Sequence, residues 1–389
     1  MPRPILLCTV GTSLFFPNLA GLRNTLTADD AKPDDKKAVP PTLRPAAEKL
    51  AAAYDASDWP GVAAALGEFP TTQRLCGAEV NSIASLIAND YAPEDCGIYF
   101  FHSDTADGKN IAGVLCRLFA ARGHSPVAAV PVPDLQDQDA KRFRTKGLRN
   151  LAKLLCAKVR EHSAAACAIN ATGGYKAQIA VAVLLGQAIG LPVYYMHERF
   201  SEIIAFPPLP IALDFEVWMR ASGLLAALEK EFVSRAVVAD EWDERYESLV
   251  EVETGPDGSE QLCLSAAGQI FHDTFRERFR TVHDQILPPP ALAKKRPQIE
   301  KAGWPGTFPD AVRFLERVTA EVPSVVRCAT RYYNPDLPEP TRFRIKGDDI
   351  EGIFSDGSRS LKFIVETTAT SPGQRYAVVA ALNEQLASR

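Results

Sequence analysis

The residues with the clearest chemistry are Asn170-Ala171-Thr172-Gly173-Gly174-Tyr175-Lys176. They follow a short apolar run, 164–169, and open an apolar-periodic segment, 176–190. A strand, a glycine turn and a helix start in that order aim backbone N–H groups and a helix N-terminus at an anion. Thr172 adds a hydroxyl, the two glycines let a phosphate approach the backbone, and Lys176 adds a point charge. Near the start, 4–10 reads as a buried strand that runs into Gly11-Thr12-Ser13. A further apolar strand, 96–102, ends in Ser103-Asp104-Thr105, which again sets hydroxyl and carboxylate groups at a carboxyl end. Such turns within one alternating α/β region point to a shared crevice at the carboxyl edge of a parallel sheet.

The elements that must hold these turns follow from periodicity. Helical patterns are expected over 45–54, 59–66, 75–91, 110–122, 140–161 and 176–190, and further strands over 125–132, 192–196 and 203–206, the last as an edge hairpin. Strands alternating with helices imply right-handed crossovers and a doubly wound, Rossmann-like sheet. A polar, Pro-rich stretch at 29–41 reads as a surface loop. The first domain should end near 207, where Pro207-Pro208-Leu209-Pro210 breaks regular structure.

Helices over 215–233 and 240–249, a hairpin over 250–265 turned by Gly255-Pro256-Asp257-Gly258, and a helix over 265–286 give the outline of a winged helix. Acidic residues in 240–247 would repel a phosphate backbone, so this 208–287 segment reads as a linker or dimerisation module and not as a DNA reader. A Pro- and Lys-rich linker, 288–303, leads to a small α+β domain, 304–389. That domain has a helix at 308–320, strands at 325–333, 342–346, 350–355 and 361–367, and a last helix over 376–386.

Composition narrows the class. The chain has 389 residues, 46% hydrophobic and 23% charged, as in an ordinary globular protein of two or three domains. A net charge of −5 argues against a generally basic nucleic-acid coat. No apolar run approaches the roughly 20 residues of a membrane span. The start, Met-Pro-Arg-Pro, shows no signal-peptide pattern. The eight cysteines are scattered with no C-x-x-C pair, as expected of buried thiols in a reducing, cytoplasmic setting.

The Gly11-Thr12-Ser13 turn and the Asn170–Lys176 motif together resemble the CARF domain, the sensor module of CRISPR-associated effectors. The resemblance covers 1–207. It implies a homodimer that binds a cyclic oligoadenylate, with the tetra-adenylate ring as the expected activator and no cofactor. The ligand contacts it implies are Gly11, Thr12, Ser13, Ser103, Asp104, Asn170, Thr172, Gly173, Gly174 and Lys176. A symmetric polyanion suits an isologous dimer carrying two anion-binding turns. Some CARF domains also hydrolyse their ligand, and the sequence leaves that open.

CARF proteins differ in the effector they carry, so the C-terminal region decides the activity. Lys362 and Glu366 stand in the wrong order for a PD-(D/E)xK nuclease, and no His-x-Glu with Pro-Cys-x-x-Cys supports a zinc deaminase. Two ribonuclease readings remain. Arg278 to His283 fits the short HEPN signature. The stretch Arg342-Phe343-Arg344-Ile345-Lys346-Gly347-Asp348-Asp349-Ile350-Glu351-Gly352-Ile353-Phe354, with Ser371-Pro372-Gly373-Gln374-Arg375-Tyr376, is similar to RelE-type toxins. That family cleaves mRNA on the ribosome with Lys, Arg and Tyr, and 304–389 contains no histidine.

RNA cleavage of this kind requires a 2′-hydroxyl to lose its proton, the phosphoryl charge to be stabilised and the 5′-oxygen to gain a proton. The resemblance assigns Arg344 and Lys346 to the scissile phosphate, with Lys346 as base. It assigns Arg375 to the developing charge and Tyr376 to stacking or proton donation. Arg331, Arg342 and Tyr333 (or Tyr332) are the expected RNA contacts. The leading expectation is a ligand-switched mRNA endoribonuclease that inhibits translation, with ribosome and mRNA as partners. The rival is a ligand-controlled winged-helix transcription regulator, for which Arg276, Arg278 and Arg280 are the best support.

Overall fold

The structure is a computed structural model that describes residues 2–27, 39–197, 202–210, 213–299, 308–334 and 339–387. Most of the expected 29–41 loop and the end of the expected 288–303 linker lie outside the described residues. The chain forms two compact units, Met1–Ile211 and Ala212–Arg389. The divide expected near 207 lies close to this boundary. The segments expected as separate domains, 208–287 and 304–389, fall together in the second unit.

In the first unit the strands are β1 (Ile5–Thr9), β2 (Gly97–Ser103), β3 (Val127–Val132), β4 (Cys167–Asn170), β5 (Val193–Met196) and β6 (Ile203–Phe206), in spatial order β3-β2-β1-β4-β5-β6. All neighbours are parallel except β6, which closes the edge antiparallel to β5. Every residue of β1, β2 and β4 is buried, which explains why they read as continuous apolar runs without alternation. The longer helices are α1 (Arg44–Asp55), α2 (Trp59–Gly67), α3 (Gly77–Ala88), α4 (Ala106–Ala121), α5 (Leu148–His162) and α6 (Lys176–Ile189). Leu50, Val62, Val80, Ile83, Ile111 and Leu115 from the first four share one core with Leu6 and Phe100. The path from β3 to β4 reverses the direction taken from β2 to β3, so right-handed crossovers send α5 to the other face from α4. The helix expected over 140–161 is interrupted by a widened turn at Phe143–Gly147. There Gly147 lies against the Asp134 carbonyl, which a Cβ would approach to 2.5 Å.

In the second unit, β7 (Val233–Ser234), β8 (Val250–Thr254) and β9 (Glu260–Leu264) form a small sheet ordered β7-β9-β8, beside helices α7 (Phe215–Lys230) and α8 (Ala266–Ile286). The helix expected over 240–249 is replaced by two 3-10 turns, Ala239–Glu241 and Glu244–Leu249. Between them Asp243 accepts from the Arg245 backbone N–H at 3.0 Å and pairs with the Arg245 guanidinium at 2.7 Å. Side-chain bonding of this kind competes with the helical ladder. A second antiparallel sheet, β10 (Val325–Asn334), β11 (Arg342–Lys346), β12 (Asp349–Ser355) and β13 (Ser360–Thr367), has the order β10-β13-β12-β11. It packs Phe343 and Phe363 against Phe314 of α9 (Pro309–Glu321) and against Val378 and Val379 of α10 (Pro372–Ala387).

The second unit is one body because α10 also shares a core with α7 and α8, through Ala377 and Ala380 against Trp218, Leu224 and Phe275. Strand β11 lies at a sheet edge and is capped there by a side chain. Asn383 of α10 accepts from Phe343 N–H at 2.9 Å and donates to the Phe343 carbonyl at 2.9 Å, and it also donates to Ser222 Oγ of α7 at 3.1 Å. The amide thus satisfies an edge strand that a neighbouring strand would otherwise pair. Gly223 permits this approach, since a Cβ there would lie 2.5 Å from the Phe343 carbonyl oxygen. No described helix is long and apolar enough to cross a membrane. Replacing Asn383 with Leu strands a buried N–H and C=O, and we expect it to cost about 1–3 kcal/mol. Urea unfolding tests this; an unchanged midpoint would contradict the capping role.

Candidate functional site

Strands β1, β2 and β4 are neighbours and parallel, so their carboxyl ends come to one edge. Thr9 is in register with Phe101, and Cys8 with Asn170. The chain leaves β1 toward β2 and leaves β4 toward β5, so the turns after β1 and β4 diverge across a switch point. Gly11–Ser13, Ser103–Asp104 and Asn170–Lys176 therefore gather as the sequence implied.

The two glycine turns meet backbone to backbone. Thr9 Oγ1 donates to the Gly173 carbonyl at 2.5 Å, and a Cβ on Gly11 would come within 2.6 Å of the Gly174 nitrogen. Gly174 has a φ of +96°, a conformation that side-chain-bearing residues rarely adopt. Asn170 donates to Ser82 Oγ at 2.8 Å, and Thr172 Oγ1 donates to Asn170 Oδ1 at 2.6 Å while accepting from Met196 N at 3.1 Å. These two residues brace the turn from behind. Ser103 is buried and bonded to Thr105 Oγ1 at 2.9 Å, at the cap of α4, and Ser13 Oγ accepts from Ala78 N at 3.4 Å. Thr12, Asp104, Gly174 and Lys176 remain exposed around the opening.

The sequence reading missed Glu79, which is buried on α3. Its Oε1 accepts from Gly11 N at 2.7 Å, whereas Oε2 is buried and makes no hydrogen bond among the described residues. Burial pushes the Glu79 carboxyl above its ordinary value, against the pull of the Gly11 N–H. A sequence signal existed: Glu79 interrupts the apolar stripe Cys76, Val80, Ile83, Leu86, where a carboxylate has no reason to be unless it is used.

In the second unit, Arg342, Arg344 and Lys346 share one face of β11. Only Lys346 is open, at 48% side-chain exposure. Arg342 is 1% exposed; its Nε and Nη2 donate to Glu241 Oε1 at 3.0 and 2.7 Å, and Glu339 lies at 3.4 Å. As folded it offers RNA no surface, contrary to the expectation. Arg344 is buried too, held at 2.7 Å by Glu351, its direct cross-strand neighbour, with Glu241 at 3.6 Å. Lys346 lies 3.5 Å from Asp240.

Arg375 reaches Asp348 at 3.3 Å and Arg331 reaches Asp349 at 3.1 Å. Lys346, Arg375 and Arg331 thus surround the β11–β12 turn, where Gly347 takes a φ of +60°. Tyr376 lies under the Arg220 guanidinium, 5.6 Å from its ring centre, and packs on the helical core. Tyr333 packs 6.1 Å from Phe308, while Tyr332 is 57% exposed. A register shift between Thr330 and Tyr332 changes the simple alternation and leaves Tyr332 as the open ring.

The residues of the rival assignments lie in ion pairs and ring contacts along α8. Arg276 is held by Glu229 and Glu384 at 2.9 Å each, joining α7, α8 and α10, and Arg280 pairs with Glu384 at 3.2 Å. Arg278 stacks over Phe215 at 4.7 Å, and His283 Nδ1 hydrogen-bonds the Arg280 carbonyl of its own helix at 3.0 Å. Among the described residues no group of His, Cys, Asp and Glu is arranged to hold a metal ion.

Residues 74–209 match the family model described as CRISPR-associated protein (Cas_APE2256). The match ties the chain to CRISPR-associated proteins. It lies within the first unit and takes in β2 to β6 and the glycine turn after β4. No curated protein matches the chain.

The glycine crevice of this unit gives a pH-dependent prediction. Glu79 titrates higher folded than unfolded, so the folded state retains its proton over a window above the ordinary value of 4.5. Its contribution to stability is complete below that value and lost as pH rises through the folded pKa. Glu79→Gln keeps an acceptor for Gly11 and has no proton to lose. Thermal unfolding should show the variant gaining on the native chain between pH 5 and pH 8; a gap independent of pH would contradict this.

Proposed function

We propose that the chain is a CRISPR-defence endoribonuclease controlled by a cyclic oligoadenylate, with the first unit as sensor and the second as a RelE-like cutter of ribosome-bound mRNA. Three observations support the sensing half. Glycine turns converge at a topological switch point, exposed Lys176 lies at a helix start, and the CRISPR-associated match covers residues 74–209 of this unit. A ring of phosphodiesters suits such turns because backbone N–H groups and one cation meet distributed negative charge. A homodimer would present two of them to a symmetric ligand.

The observation that carries the cutting half is the cluster of Lys346, Arg375 and Arg331 around the Gly347 turn on a four-stranded antiparallel sheet. In the proposed reaction the 2′-oxygen attacks phosphorus and the P–O5′ bond breaks. Lys346 takes the 2′-hydroxyl proton, Arg375 stabilises the phosphoryl charge, and water protonates the departing 5′-oxygen. Arg331 holds a flanking phosphate and exposed Tyr332 supplies a stacking face.

The test is incubation of the full chain with translating ribosomes, with and without cyclic tetra-adenylate, followed by mapping of mRNA ends. Cleavage should require the ligand, and Lys346→Ala or Arg375→Ala should lower it about 100-fold with fold and ligand affinity retained. Ligand-bound native protein that leaves mRNA intact, or variants that cut as well as native, would refute the reading.

A further inference from the structure

The basic face of β11 carries more positive charge than its own sheet neutralises. In this ion-pair network Arg342, Arg344, Lys346 and Lys362 are four cations. The sheet and the chain leading into it supply two carboxylates. Glu339 pairs with Lys362 at 2.6 Å and Arg342 at 3.4 Å, and Glu351 pairs with Arg344 at 2.7 Å. The other two come from the Ala239–Glu241 turn, about a hundred residues earlier. Glu241 takes two hydrogen bonds from Arg342 at 3.0 and 2.7 Å, and its Oε1 lies 3.6 Å from Arg344. Asp240 lies 3.5 Å from Lys346 and 4.0 Å from Arg344. Two consecutive carboxylates therefore span three consecutive cations.

We propose that the Ala239–Glu241 turn is an internal plug, whose two carboxylates occupy the positions that RNA phosphates take on β11 when the enzyme acts. This rests on the ribonuclease reading above and supplies its regulation. The chemistry is matched, because a guanidinium engages a carboxylate and a phosphate through the same pair of N–H groups. The fit is also incomplete. Arg344 Nη2 lies 2.7 Å from Glu351 and Nη1 3.6 Å from Glu241, but neither buried nitrogen donates a hydrogen bond of good geometry among the described residues, so this cation has donors to spare for a better-placed acceptor.

Exposure is graded along the row. Glu241 is nearly enclosed, whereas Asp240 is 65% exposed beside half-open Lys346. Screened outer pairs of this kind contribute little, so the outer end of the plug is the end that a polyanion displaces first. The turn itself is short. One 3-10 turn, closed by a long Trp242 N–H to Ala239 carbonyl bond of 3.4 Å, joins buried Val238 to Trp242.

The test uses the full chain and the variants Asp240→Asn, Glu241→Gln and the pair together, with Glu244→Gln as a charge-matched control on the same exposed segment. One readout is anisotropy of a fluorescein-labelled single-stranded RNA without ligand. The other is mRNA cleavage on ribosomes without cyclic tetra-adenylate. Asp240→Asn should bind RNA about tenfold tighter than native and cut without the ligand. Glu244→Gln should change neither. Glu241→Gln uncovers buried arginines; if it fails to fold, exposed Asp240→Asn decides alone. A folded Asp240→Asn with native RNA affinity and no ligand-free cleavage, or a control that matches it, overturns the plug. Native protein that cuts with ligand while Asp240→Asn stays silent defeats the plug and spares the ribonuclease reading. Tighter RNA binding by Asp240→Asn, with no cleavage by any protein under any condition, supports the occlusion and defeats the ribonuclease reading.

Discussion

The second unit depends on the neutralisation of one basic strand. Arg342 and Arg344 are buried guanidinium groups, and an uncompensated buried charge is strongly destabilising. Their partners come from the strand beside them, the segment before them and the turn at Ala239–Glu241, so the charges bind the 208–287 and 304–389 segments together. Asn383 does the same for the backbone of that strand, and Arg276 for three helices. The consequence is one compact unit, with two cores joined through α10, for two segments that sequence composition separates.

The first unit rests on a different constraint, the close approach of two turns. Gly11 and Gly173 pack where any Cβ would strike the opposing backbone or Glu79, and Gly174 needs a positive φ. Glycine at these positions is explained by packing alone, and the same closeness keeps side chains out of the contact between the turns while Thr12, Asp104 and Lys176 stay at the rim. Glu79 beneath the turns fixes Gly11 through a carboxyl that burial favours in the neutral form. Burial that raises this carboxyl's pKa lessens the negative charge it adds under a site read as anion-binding.

Much of the fold was legible because the pattern and the packing agree. Strand β11 was expected over 342–346, β6 over 203–206 and the helix of the glycine turn from Lys176, each bounded by strong turn chemistry. The acidic 240–249 segment was not legible, since helix-compatible residues there are drawn into ion pairs at long range. The same gap limited the site. Strand alternation places Arg342, Arg344 and Lys346 on one face, but it carries no information about which remote carboxylates cover that face. Of the two tyrosines offered as stacking surfaces Tyr332 is the exposed ring, a choice that a period-two reading could not make across the register shift in β10.

Hydrogen–deuterium exchange on the full chain, with and without cyclic tetra-adenylate, tests the central claim that ligand binding frees a strand held shut by the chain's own carboxylates. The account predicts protection at Gly11–Ser13 and Gly173–Lys176 together with faster exchange at Ala239–Trp242 and along Arg342–Lys346. Protection of the glycine turns with no change at the acidic turn or the basic strand would contradict it.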